Sequence, residues 1–241
     1  MQAKTTGIIL HQLKYTDSSS IVSIYTKEFG RVSYLVRGSN KKKSACRAAL
    51  LQPLSVVEIV VSHHPKKNIQ TLLEMRLDKP FYEIPYSPVK NALALFLAEL
   101  LVKTLKHTEQ DVNLYFFLEN SISELDKCKE GLGNFHLVFM MLLSRYLGFD
   151  PNLENEEQAI YFDLLNGVFV QKVPEHIHFL TAEITRFFKI LLSLDYDSLD
   201  QLQMTRNIRA ELLNGLVEYY KLHISDFQIV SSVEVLHKLW E

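Results

Sequence analysis

The chain has 241 residues, enough for one large domain or two small ones with separate cores, and its 47% hydrophobic content excludes wholesale disorder. No apolar run reaches membrane-spanning length, since the longest, Ala92 to Leu105, is interrupted by Glu99 and Lys103; the first residues, Met1 to Thr5, lack the apolar core of a signal peptide; and two cysteines, Cys46 and Cys128, make no disulfide framework, so the expected setting is the reducing cytoplasm. The formal net charge of −2 conceals a division: residues 1–80 hold 13 Lys and Arg against 5 Asp and Glu, a net +8, while the remainder carries −10, which points to a polyanion partner for the basic part.

Five β-rich runs occupy the basic part: Thr6–Leu13, Ser20–Thr26, Arg31–Arg37, Leu54–Val61 and Ile69–Leu77. Turn signals separate them at Thr16-Asp17-Ser18, Phe29-Gly30, Gly38-Ser39-Asn40 and His64-Pro65-Lys66-Lys67-Asn68. The third run alternates, with Val32, Tyr34 and Val36 on one face and Arg31, Ser33, Leu35 and Arg37 on the other. The second is less regular, because Ile21, Val22, Ile24 and Tyr25 are all apolar. Five short strands predict a small barrel, of which the OB-fold is the commonest five-stranded form. Ser44 to Leu51 reads as a helical turn between the third and fourth strands.

Lys79-Pro80, followed by Pro85 and Pro88, marks a boundary. The reading is α+β: residues 1–80 form a nucleic-acid-binding OB-fold, and residues 81–241 form a helical domain with a small β-hairpin. Ser87-Pro88 opens the first helix as N-cap and first helical residue, and Asp111 caps a second through Leu125. A third runs from Asn134 to Leu147 and stops at Gly148 and Pro151. Thr181 opens a fourth to Leu194, and Thr205 a fifth to about Leu222. Between the third and fourth, Asn166-Gly167 sits between the apolar runs Tyr161–Leu165 and Val168–Val170, the signal for a hairpin with a type I′ turn.

The strand and lysine-rich loop from Gly30 to Leu54 are the strongest candidate site. Lys and Arg neutralise phosphates and release counterions, which supplies sequence-independent affinity. The candidate DNA contacts are Arg31, Arg37, Lys41, Lys42, Lys43 and Arg47, with Lys66 and Lys67 from the neighbouring loop. No base-reading set accompanies them. Tyr25, Tyr34 and Phe29 are the nearby aromatics that could stack on bases; Tyr34 shares the apolar strand face and is expected in the core, while Tyr15 and Tyr25 stay open. His63 and His64 decorate a strand-end turn or help contact phosphate. His176 and His178, with Glu175 or Glu183, lack a third well-spaced metal ligand, so no metal and no cofactor are expected. No phosphate-binding loop, nucleophile elbow, zinc-protease motif or dinucleotide fingerprint occurs, and no catalytic residue is assigned.

Gly30-Arg31-Val32 through Val36-Arg37-Gly38, a basic loop, and then Ala49-Leu50-Leu51-Gln52-Pro53-Leu54 resemble the RecO family of bacterial recombination mediators over nearly the full length. Thr6-Gly7-Ile8-Ile9-Leu10, Phe139 to Phe149 and Ser232-Val233-Glu234-Val235-Leu236 agree in order and spacing. The resemblance implies an N-terminal OB-fold, a C-terminal helical domain, and a non-enzymatic role in DNA repair and recombination in the cytoplasm, at the nucleoid. It implies binding to single- and double-stranded DNA and annealing of complementary strands. It also implies partnership with RecR and with the acidic C-terminal tail of the single-stranded-DNA-binding protein, and through them the loading of RecA. Many members carry a four-cysteine zinc module around the hairpin, whereas no Cys follows Cys128 here. The third helix, which commonly opens with arginines in the family, here opens with His136-Leu137-Val138. A tail-binding pocket needs an apolar cleft edged by cations, for which Lys103, Lys106, Arg145, Arg186 and Lys189 are the candidates. The competing readings are an RNA-binding OB-fold accessory protein, a hydrolase using His176 or His178, and a pure interaction adaptor.

Overall fold

The structure, a computed structural model, describes residues 2–37, 50–106, 110–228 and 230–239. They group into two compact units, one from residues 1–127 and 230–236, the other from 128–229 and 237–241. Among the described residues no helix is long and apolar enough to cross a membrane.

The first unit is built on a closed barrel of five strands: β1 (Gln2–Thr16), β2 (Ser19–Thr26), β3 (Gly30–Arg37), β4 (Val56–Ser62) and β5 (Ile69–Lys79), in the order β1-β2-β3-β5-β4. This is the five-stranded OB barrel expected from the strand count. Neighbours pair antiparallel except at the closing seam, where Ser33, Tyr34 and Leu35 of β3 run parallel to Ile69, Gln70 and Thr71 of β5. β1 exceeds the predicted Thr6–Leu13 at both ends because it serves two partners. Gln2 to Ile8 pair with β4, and Gly7 to Thr16 with β2. At Gly7 the strands press together: a Cβ there would stand 2.5 Å from Ile24 Cγ2.

The alternation read in β3 is realised, with Tyr34 and Val36 inside and Arg31, Ser33, Leu35 and Arg37 facing outward to varying degrees. Tyr34 joins Ile9, Val22, Ile24, Val57 and Ile59 in the barrel core. Tyr25 is also fully buried, its hydroxyl donating to the Asp111 carbonyl at 3.4 Å, whereas Tyr15 is exposed. The helical turn read at Ser44 to Leu51 falls largely outside the described residues.

Two helices follow the barrel. α1 (Pro88–Thr104) starts where predicted, the Ser87 hydroxyl accepting from the Lys90 N–H. α2 (Val112–Lys127) is capped by Asp111, whose Oδ1 accepts from the N–H groups of Asn113 and Leu114 at 2.8 and 3.0 Å. Asp126, near the end of α2, reaches back to the barrel exit. Its carboxylate accepts from the backbone N–H groups of Tyr82, Glu83 and Ile84 at 2.7, 2.9 and 2.8 Å, while buried Lys90 donates to its carbonyl at 2.6 Å. Near the C-terminus the Glu99 carboxylate of α1 accepts from the N–H groups of Ser231 and Ser232 and from the Ser232 hydroxyl. Buried Val230 and Leu236 lie on either side of these serines.

The second unit contains α3 (Phe135–Leu147), a sheet of β6 (Tyr161–Asp163), β7 (Val168–Val170) and β8 (Phe179–Leu180), then α4 (Ala182–Leu192) and α5 (Arg206–His223). The helix α6 (Val233–Leu239) is the last element among the described residues. Thr181 and Thr205 cap α4 and α5 as read from sequence, and Gly148, in the left-handed region at φ 81°, ends α3. β6 and β7 form the expected hairpin, joined by β8 to make three strands. Its turn is not type I′: only Gly167 has positive φ, and the loop closes with the Gly167 N–H on the Asp163 carbonyl. The Asp163 side chain overrides the Asn-Gly preference by accepting from the N–H groups of Leu165 and Asn166 at 2.9 and 3.0 Å.

Candidate nucleic-acid interface

A polar groove of about 380 Å3 opens on the barrel at the end of the β3–β5 seam. It is lined by Arg31, Val32 and Ser33 of β3, by His63, Pro65, Lys67 and Asn68 of the β4–β5 loop, by Gln70 of β5, and by Lys106 just beyond α1. Cations from three separate stretches of chain therefore meet at one place. Among the described residues lining it none is acidic.

Each wall has a local cause. Arg31 points outward by strand alternation and is then tied down, Nε donating to the Ser23 hydroxyl at 3.1 Å and Nη1 to the Val102 carbonyl at 2.7 Å. These bonds use two of its five N–H donors. Burial lowers its pKa from an ordinary value so high that it stays cationic. The β4–β5 loop is ordered from below by Gln70, 3% exposed on β5. Its Oε1 accepts from the His64 N–H at 2.7 Å, and its Nε2 donates to the carbonyls of His64 and Lys67 at 2.9 and 2.6 Å. One amide thus satisfies both ends of the turn that presents Lys66 and Lys67. Gln70→Leu should lower stability by about 1–2 kcal/mol in urea denaturation and speed hydrogen exchange at the His64 amide.

Of the residues read as DNA contacts, the structure brings Arg31 and Lys67 together and places Lys66 in the same loop. Arg37 shares the outward face of β3 but sits at its far end, six residues and therefore about 20 Å from Arg31. Lys41, Lys42, Lys43 and Arg47 lie outside the described residues. Elsewhere on the first unit, Lys4 and Arg76 both pair with Glu58, Lys14 with Asp17, and Lys79 with Glu119. These four basic residues each have an acidic partner on the first unit. Sequence reading missed Lys106 and Asn68 as groove residues, and took Lys106 for a tail-pocket candidate. Asn68 stood inside the turn signal; Lys106 lies 75 positions from Arg31, and only the fold joins them.

The remaining candidates are engaged within the second unit. Lys189 donates to the carbonyls of Glu156 and Ala159 and lies over the Phe169 ring, and Arg145 donates to the Leu192 carbonyl. His136, Leu137 and Val138, at the opening of α3, are fully buried. The hairpin does not fit the zinc module of the family. His176 bonds Asp163 at 3.2 Å while His178 goes to Glu218 at 3.1 Å, and among the described residues no three His, Cys, Asp or Glu form a ligand group. Burial works to raise the Asp163 pKa but is outweighed by hydrogen bonds from Asn166 and by His176, so the carboxyl titrates below its ordinary value. Packed beneath are Phe162, Phe169 and Phe188, with ring centroids 4.5 to 6.1 Å apart. Aromatic packing and one carboxylate hold the strands together.

Comparison with known proteins agrees with this architecture. The family profiles described as Recombination protein O N terminal and C terminal match residues 1–81 and 85–232. The DNA repair protein RecO of Phocaeicola vulgatus is 40% identical over 240 residues, that of Bacteroides fragilis 39% over 242, and that of Flavobacterium psychrophilum 33% over 242, each match covering 100% of both chains. A closed N-terminal barrel, a helical remainder and two profile matches that together span nearly the whole length lead to one conclusion: the chain belongs to the RecO family of DNA repair proteins.

Proposed function

We propose that this chain is a mediator of DNA repair and homologous recombination that works by binding rather than by catalysis. Its barrel, residues 1–80, holds single- and double-stranded DNA, and the chain anneals complementary strands. With RecR it helps load RecA onto strands coated by the single-stranded-DNA-binding protein, whose acidic C-terminal tail it engages. The observation that carries the reading is the groove where Arg31, Lys67 and Lys106 converge, with no acidic residue among its described lining. Arg37, Lys41, Lys42, Lys43, Arg47 and Lys66 are the further candidate phosphate contacts. Annealing follows from the same physics: two strands repel through their phosphates, and a basic surface that grips backbones without engaging base edges lowers that barrier.

A salt titration of the whole protein tests this. Binding of a single-stranded oligonucleotide should weaken with a log–log slope of about −2 or steeper, given about 0.7 per neutralised phosphate and at least three cations. A flat response would sink the proposal. RNA of the same sequence, run as competitor, should not displace the DNA preferentially; if it does, an RNA-binding role takes its place.

A further inference from the structure

The groove has an aromatic wall as well as cations. His63, which lines it, stacks on Phe29 with ring centroids 4.3 Å apart and planes 10° from parallel. Phe29 in turn packs against the barrel core. The imidazole is thus backed by a ring anchored in the protein, and its orientation is set before any ligand arrives. A rigid aromatic beside fixed cations is the arrangement that holds unpaired bases, because every base has a π-face while its phosphate needs a positive partner. The volume of about 380 Å3 falls in the range of sites that enclose a single small ligand.

We propose that this groove seats one unpaired nucleotide of a DNA single strand, its base laid on the His63 ring and its phosphate held by Lys67 and Lys106. The inference rests on the DNA-binding reading above and deepens it by assigning the groove a preference. A paired base is covered on both faces by its neighbours in the helix, so only a single strand can offer one to His63. Phosphate contacts elsewhere on the barrel serve both forms of DNA. The groove serves one, which lets a protein that binds duplex and single strand alike still sense the unpaired state.

The test uses the full chain and four probes in binding titrations: an oligothymidine, an abasic oligonucleotide of equal length and charge, a hairpin duplex, and free thymidine monophosphate as competitor. His63→Ala should weaken oligothymidine binding about five- to tenfold and leave the abasic strand and the duplex within twofold of the unaltered protein. His63→Phe, which keeps the stack, should bind oligothymidine like the unaltered protein. Equal losses on oligothymidine and the abasic strand would overturn the proposal, making His63 a phosphate contact only. No loss on any probe overturns it too. Displacement of the strand by micromolar thymidine monophosphate would make the occupant a free nucleotide instead. Should the unaltered protein bind none of the strands, the DNA-binding reading itself fails, a result separable from His63 having no effect.

Discussion

Reversing the charges of Lys67 and Lys106 together, as Lys67→Glu with Lys106→Glu, should weaken binding of a single-stranded oligonucleotide by about 25-fold or more at 0.1 M salt. A slope of about 0.7 per phosphate makes each contact worth about a factor of five between 1 M and 0.1 M salt, so two contacts amount to about 25-fold, to which the introduced carboxylates add repulsion. The log–log salt slope should become shallower by about 1.4 units, and the loss should be uniform across sequences, since neither side chain reads a base. Arg31 is the poorer target despite its central place. It also ties β2 and α1 together through Ser23 and Val102, so its removal mixes stability with binding. Lys67 stands on an exposed loop, and Lys106 follows the end of α1. Fluorescence anisotropy over a salt series checks both numbers, and an unchanged affinity would remove the groove from the DNA-binding surface.

Acidification should destabilise the second unit through His136. This imidazole is fully buried at the second position of α3, where the helix dipole also disfavours a cation. Burial pushes its pKa down to about 3, with the positive charge of Arg209 and the neighbouring His237 acting in the same direction. The unfolded chain takes up the proton near pH 6.5 and the folded chain only near pH 3. Stability from this group is therefore complete above pH 6.5 and falls by about 1.4 kcal/mol per pH unit between those values, a loss of about 2 kcal/mol by pH 5. Urea denaturation at pH 7, 6 and 5, followed by far-UV circular dichroism, measures it. His136→Phe should remove one proton from that slope. The slope rather than the absolute stability is the readout, so any packing cost of the substitution cancels. An identical slope in the variant would place the acid sensitivity elsewhere.

What could be read from the sequence was what short-range chemistry decides. The alternation of Arg31 to Arg37 needs only the pleat of one strand. The caps Ser87, Asp111, Thr181 and Thr205 need only a side-chain oxygen two or three residues ahead of an orphan N–H. The features that escaped depend on partners distant in the chain. β1 is longer than its own pattern indicates because β4 extends it. The hairpin turn departed from Asn-Gly chemistry because Asp163 recruited the loop amides, with His176, thirteen residues on, completing its bonds. The candidate site was half visible for the same reason. Composition singled out Arg31 and Lys67, but nothing local could place Lys106 beside them or show that Gln70 shapes the loop between.

The clasp at Asp126 has a mechanical meaning. Residues 82–84 fall between the two profile matches, 1–81 and 85–232, where the prolines Pro80 and Pro85 give the look of a swivel. All three of their amide groups are instead fastened to one carboxylate near the end of α2, and α1 is bolted to the same residue through Lys90. Tension on a strand gripped by the barrel would therefore pass into two helices as through a welded joint instead of being absorbed by a slack tether. If the barrel grips DNA as proposed, a pull on the strand becomes a load that those helices feel.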